Sequence, residues 1–290
     1  MWSIVQSLIN GVLSGGVYAL IAVGITIIFG VMRLINFASG AFLVIGMYLG
    51  WLAYSITGWN YYELIPFVAF GSAILGYLSF RLTMIPILNK SRDAGLLVTV
   101  GLAFLLQNLV LIVFGNNPLT LPSALSDASI QIGKYFIGLP RVIAFGTALI
   151  LVVLVTALVN KTRFGKAMRA TSENTEIAEM LGIKTNTIFA LAWTLGIVLM
   201  GIGGLMITPL YFVQSSLGST FRTTPIIAVV LGGLGSIKGA FISGILLGVV
   251  ESLVATNIAS DLGPLGIFVL YLVMFYILPR GLFGERERVA

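Results

Sequence analysis

The chain has no cysteine and no histidine. The first absence excludes disulfides and thiolate metal sites, and the second removes the commonest metal ligand and general base, so hydrolytic or metal-dependent catalysis has little to draw on. Charge is also scarce: 9% of the 290 residues are Asp, Glu, Lys or Arg, against roughly a quarter in an ordinary soluble domain. Apolar residues take their place, at 58% with a mean hydropathy of +1.07. Long apolar runs recur from end to end, which is the composition of a polytopic helical membrane protein. The 34 glycines suit helices that approach closely in lipid. The formal charge of +6 comes from Lys and Arg in a few loops, so it reports orientation across a membrane and not affinity for nucleic acid. The opening residues, MWSIVQSLINGVLSG, lack a basic leader and read as a retained first span.

Hydropathy predicts spans at about Ile4 to Phe29, Phe37 to Ile56, Leu64 to Leu88, Ala94 to Phe114, Val142 to Val159, Thr187 to Ile207 and Leu262 to Leu278. Between Pro225 and Thr256 the run is interrupted by GGLGSIKG, whose glycines argue against an unbroken helix. The expectation is an all-α bundle of about eight spans plus a re-entrant or broken helix near 225–238. It forms one transmembrane domain over 1–290 with a polar segment at 161–186. The loop from Gly115 to Arg141 is rich in turn formers and leaves room for a short amphipathic segment. GAFLVIGMYLG (40–50) and GAFISGILLG (239–248) echo each other after a polar or glycine-rich break, as repeated halves of a transporter would; chance recurrence of small residues is the other reading. Lys and Arg gather at 81–92, 161–184 and 280–288, which places those clusters in the cytoplasm and, counting back, the start of the chain outside unless the region of Arg33 is a second broken element, in which case it lies inside.

The longest polar segment, Lys161 to Lys184, holds five of the basic and three of the acidic residues. Within it SENTEIAEMLGI carries helix signals: Ser172 or Asn174 to cap, Glu173 and Glu176 in the first turn, and Gly182 to terminate. Ile177, Met180 and Leu181 fall on one apolar face of a helix of about two turns. So short a helix is marginal alone and makes sense docked in a partner's groove. A charged loop tucked under the bundle is the competing reading.

GKAMRATSENTEIAEMLGI resembles the cytoplasmic coupling segment of bacterial ABC-transporter permeases of the branched-chain amino acid type, the LivH and LivM family. RLINFASGAF and GGLGSIKGAFISG resemble that family's signatures as well, and the length suits a LivH-like member. The resemblance implies a permease in a bacterial (or archaeal) cytoplasmic or inner membrane. It would pair with a LivM-like membrane subunit, two cytoplasmic ATP-binding subunits and a periplasmic or extracellular binding protein that delivers an amino acid. Carried over by motif, the ATPase-coupling residues are Gly165, Arg169, Ala170, Glu173, Asn174, Ala178, Leu181 and Gly182, joined by Ile177 and Met180 on the apolar face. The chain is expected to be no enzyme and to need no cofactor or metal. GGLGSIKG is no phosphate-binding loop, lacking Gly before the Lys and Ser or Thr after it.

Glu251, deep in an apolar run, is a candidate pathway residue by default, with a carboxylate near a helix end as the alternative. Asn36, Ser39, Gln107 and Asn108 could line a polar passage or bond between helices. Two other functions stay open: a permease of the same family for urea or short amides, and an ion-coupled secondary transporter, which also uses broken helices.

Overall fold

The computed structural model describes residues 2–88, 90, 92–122, 128–278 and 281–284. Among them eight helices are long and apolar enough to cross a membrane, and a ninth apolar helix is shorter. The long ones are α1 (Trp2–Met32), α2 (Ser39–Thr57), α3 (Ile65–Ser79, prolonged to Ile87 by a π turn and a 3-10 turn), α4 (Arg92–Phe114), α5 (Leu139–Lys161), α8 (Thr185–Ile207), α10 (Ile237–Asn257) and α11 (Gly263–Ile277, led in by a 3-10 turn). The short apolar helix is α9 (Leu217–Gly232), and two polar helices, α6 (Arg163–Glu173) and α7 (Thr175–Met180), sit between α5 and α8. The winding change at the end of α3 comes where Pro86 has no N–H to return to residue 82.

Two helices form the centre. Every residue from Val17 to Ile28 in α1 and most residues of α8 are buried. The most extensive contact is between α1 and α10, which run antiparallel through glycine. A Cβ on Gly11 would meet the Val249 Cα at 2.6 Å and one on Gly15 the Ile245 Cα at 2.8 Å, while Gly244 and Gly248 abut Ala19 and Gly15 in turn. Backbones can approach so closely only without side chains, which is how small residues drive association in lipid. The same device joins α2 to α8 at Gly46 and Gly201. Helices α4, α5 and α11 are peripheral, with most of their apolar side chains turned outward.

The bundle has a basic end and a far end. Arg33, Lys161 and Arg163 to Lys184 lie at the basic end, which α1, α3, α5 and α11 reach with their C-termini. The start of α1 and the end of α10 meet at the far end, where Ser3 bonds to Asn257 (3.2 Å). By the charge rule this sets the start of α1 on the non-cytoplasmic side. The basic cluster expected at 280–288 lies outside the described residues, as does the Arg92 side chain in the cluster at 81–92.

In two places the structure differs from the sequence expectation in detail. The broken helix begins at Leu217, not at Pro225: Pro225 is buried inside α9, and the break lies upstream, at 208–216. That irregular chain is covered by protein, as membrane depth demands. Val213 pairs with Leu119 in both directions (2.8 and 3.0 Å), and the Gln107 amide reaches the Ser215 carbonyl (3.5 Å). The break expected within GGLGSIKG is present at 233–236, between α9 and α10, and turns on Gly233 and Gly235 with φ of 97° and 91°; Leu282 and Phe283 donate to the carbonyls of Leu231 and Gly232. The loop before α5 holds an antiparallel hairpin, Ser129–Ile132 with Tyr135–Gly138, in place of an amphipathic helix, because Gly133 (φ 65°) supplies a tight turn between alternating segments. The hairpin grips α1 through Gln6, which exchanges two hydrogen bonds with Phe136 (2.6 and 3.2 Å). The two echoing stretches both open helices directly after a break, α2 after 33–38 and α10 after 233–236.

The glycine contact of α1 with α10 is testable. Gly248→Leu places a branched side chain against the Gly15 backbone and is expected to cost about 3 kcal/mol or more, whereas Gly101→Leu, whose Cβ direction is open, is expected to leave the melting temperature of the purified chain within a few degrees of wild type.

Candidate functional site

The polar segment folds as a two-helix hook on the basic end. Thr162 caps α6 by accepting from the Gly165 N–H (3.2 Å), and Asn174 ends α6 and caps α7 by accepting from the Ile177 N–H (3.0 Å). Gly182 follows α7 in the left-handed conformation (φ 82°), and the Ile183 N–H closes back on the Ala178 carbonyl (3.0 Å), a glycine stop that needs no side chain. Helix α7 is therefore specified by its own ends. Helix α6 is not legible as a helix, because its buried face of Gly165, Met168 and Thr171 holds one strongly apolar residue.

The hook is fastened to the bundle on one side only. Gly165 lies so close to the Val159 carbonyl that no Cβ fits, Arg169 donates to that same carbonyl (2.6 Å), and Arg33, at the end of α1, donates to the Ser172 carbonyl (3.3 Å). Thr185, the first residue of α8, bonds to Glu179, and Ala178 is buried beneath α7. Ala170 is half-buried, while Glu173, Asn174 and Gly182 are exposed. On the outer side the apolar triplet stands free: Ile177 is 54% exposed, Met180 85% and Leu181 74%. Three apolar side chains held up at a charged surface form a projection suited to a complementary groove.

The pathway candidates separate into four places. Asn36 and Ser39 are buried in the break between α1 and α2: the Asn36 carbonyl oxygen accepts from the Ala38 N–H (2.9 Å), and Thr99 of α4 accepts from the Phe37 N–H (3.4 Å). The Asn36 Nδ2 and the Ser39 hydroxyl have no protein partner there. Gln107 serves the other break, through Ser215. Asn108 is exposed on the outer face of α4 with its amide turned onto its own helix at Phe104 (2.8 Å), apart from the other candidates.

Glu251 belongs to a cluster at the far end that sequence did not group. Its carboxylate lies within side-chain hydrogen-bond reach of the Tyr18 hydroxyl, which α1 directs towards its own N-terminus as helical side chains are. Tyr18 is one wall of a cavity of about 210 Å³ shared with Ser14, Val17, Arg141, Ile207, Leu210, Tyr211 and Phe221. Phe221 stands between two phenols, 5.9 Å from Tyr18 and 5.2 Å from Tyr211 by ring centres. Tyr211 lies within electrostatic reach of both Glu251 and Arg141. These residues come from α1, α5, the break after α8, and α9, so their meeting is a property of the fold. The one sequence signal was Arg141, a basic residue at the third position of an apolar span.

Comparison with known proteins covers the whole bundle. The family described as branched-chain amino acid transport system / permease component matches residues 7–278. The high-affinity branched-chain amino acid transport system permease protein LivH of Salmonella typhimurium is 30% identical over 97% of this chain and 96% of its own. BraD, the permease protein of the same description from Pseudomonas aeruginosa, is 28% identical with 97% and 96% covered. PsaBC from Streptococcus pneumoniae in complex with Fab shares the fold, with a TM-score of 0.51 over 93% of this chain and 91% of that one at 15% identity.

The hook's construction predicts a local effect. Asn174→Ala removes a capping bond and is expected to weaken α7 by about 1 kcal/mol; the amide of Ile177 should then exchange with deuterium about five times faster, with exchange in α8 unchanged.

Proposed function

Because the chain belongs to the branched-chain amino acid transport system permease component family, we propose that it is the membrane-spanning permease subunit of a binding-protein-dependent ABC importer for branched-chain, hydrophobic amino acids. It works in the cytoplasmic or inner membrane, and separate ATPase subunits supply the energy. Near-full-length similarity to LivH and BraD supports this reading over a urea or amide permease and over an ion-coupled secondary transporter. A substrate-binding protein delivers the cargo at the far end, and two ATP-binding subunits meet the basic end. A similar, LivM-like chain completes the membrane pair.

The observation that carries the mechanism is the hook. Ile177, Met180 and Leu181 project from a surface that is otherwise charged, and the residues behind them are fixed: Ala178 is buried, Asn174 and Gly182 set the two ends of α7, and Gly165 and Arg169 anchor α6 to Val159. A groove on an ATPase subunit that takes the triplet can thus push or pull the ends of α5 and α8 without the hook giving way. Glu173 and Ala170 sit on the same hook, where they help fix orientation. Closing of the ATPase dimer on ATP would drive the bundle between outward and inward openings, and hydrolysis belongs to those subunits.

Leu181→Asp puts a carboxylate into the proposed groove and is expected to lower amino-acid uptake at least tenfold in proteoliposomes holding the complete transporter. The ATPase should no longer respond to the loaded binding protein, while the chain inserts and purifies as wild type. Unchanged uptake and ATPase response in this variant would remove the docking role. Uptake by this chain alone, without ATPase subunits or binding protein, would overturn the ABC reading itself.

A further inference from the structure

The far-end cavity is built unlike the rest of the bundle. Within spans that carry almost no charge, Arg141 lines the recess, and the Glu251 carboxylate stands behind its wall, within hydrogen-bond reach of the Tyr18 hydroxyl that lines it. The Arg141 Nε is buried without a hydrogen-bond partner. Arg141 sits in the first turn of α5, where the positive end of the helix dipole adds to the pull on an anion. Glu251 and the Tyr18 hydroxyl lie on α10 and α1 and offer the opposite polarity. Between the two poles the wall is apolar, made of Val17, Ile207, Leu210 and the Phe221 ring. At about 210 Å³ the space falls below the roughly 300–1,000 Å³ of pockets for drug-sized ligands, and Tyr211, 45% exposed, forms its rim.

A buried guanidinium N–H without a partner is costly unless something completes it. The missing partner must be anionic at one end, cationic at the other, net neutral, compact and apolar along its side. We infer that this cavity is a substrate-contact site for the α-amino-acid head group, with the carboxylate held by Arg141, the ammonium by the Tyr18 hydroxyl and the Glu251 carboxylate behind it, and the aliphatic side chain against Leu210 and Phe221. The inference rests on the proposed import of amino acids and adds to it the residues that receive the cargo on the face where it arrives. It also gives Glu251 a role that its position in an apolar run left open. The site is modest by construction: one bidentate-capable cation and one carboxylate grip the head group, and no deep pocket encloses the side chain, so discrimination among aliphatic chains falls to the binding protein.

The test uses the assembled membrane complex with its ATPase subunits, purified without binding protein, and radiolabelled L-leucine as probe. Competition by L-leucinamide, which lacks the carboxylate, and by 4-methylpentanoate, which lacks the ammonium, is measured against unlabelled L-leucine. In the wild-type complex both analogues are expected to compete at least tenfold more weakly than leucine. Arg141→Gln should weaken leucine about tenfold and abolish the penalty on leucinamide while keeping that on 4-methylpentanoate; Glu251→Gln should do the reverse, and Arg141→Lys should restore part of the leucine affinity. Equal competition by all three ligands in the wild-type complex overturns the inference without recourse to any variant. So does an absence of saturable leucine binding, or an unchanged ranking in both variants. Uptake by the same wild-type complex, supplied with binding protein and ATP, is read in parallel. Leucine uptake with a failed cavity result leaves the importer reading standing, and no uptake of any branched-chain amino acid removes that reading as well.

Discussion

The antiparallel contact of α1 with α10 sets the frame for everything else. Gly11, Gly15 and Ala19 against Gly244 and Gly248 leave no room for side chains, so the two helices cannot slide without steric clash. One register brings Glu251 level with the reach of the Tyr18 hydroxyl at the far end and Gly235 beside Gly30 at the basic end. In lipid, where tails are as apolar as leucine, apolar side chains give little reason for helices to associate. The close backbone approach supplies it, and the composition, rich in glycine and poor in charge, follows.

Tight central packing forces irregularity to the ends of elements. The chain leaves the helical path at 33–38, 208–216 and 233–236, and at each place the freed backbone groups find protein partners: Asn36 and Thr99, then Leu119 and Gln107, then the residues at 281–284. Arg33 is the one described non-glycine residue with positive φ (51°), and it is also the residue that reaches the hook at Ser172. Polar residues that looked like a passage in the sequence thus have structural work at the breaks, while the Asn36 Nδ2 and the Ser39 hydroxyl keep unspent capacity.

What was readable in the sequence was what local chemistry decides. Span positions follow from hydropathy to within about three residues at most ends, and α7 follows from Asn174 and Gly182 acting on their own neighbours. The site built by tertiary contact was hidden. Arg141 read as a loop residue, because Pro140 and the turn-rich stretch before it disguise the first turn of α5, and Tyr18 read as one more apolar-run residue. Pro225 misled for a physical reason: proline removes one N–H, which ends a helix in water, but here neighbouring elements bury the bend and α9 continues through it. Helix α6 escaped notice because its buried side is carried by Gly165, Met168 and Thr171, of which only Met168 is strongly apolar.

The two faces of the molecule are tied together by its two most buried helices. Helix α1 begins beside the hairpin, passes the cavity with Ser14, Val17 and Tyr18, and ends at Arg33 on the hook. Helix α8 begins at Thr185, bonded to Glu179 of the hook, and ends at Ile207 on the cavity wall. A long helix packed on every side transmits displacement along its axis instead of absorbing it, since close-packed interiors deform little. Compliance is left to the breaks, where Arg33, Gly233 and Gly235 already hold unusual dihedrals. A displacement of Ile177, Met180 and Leu181 would therefore meet stiff rods leading to the opposite face.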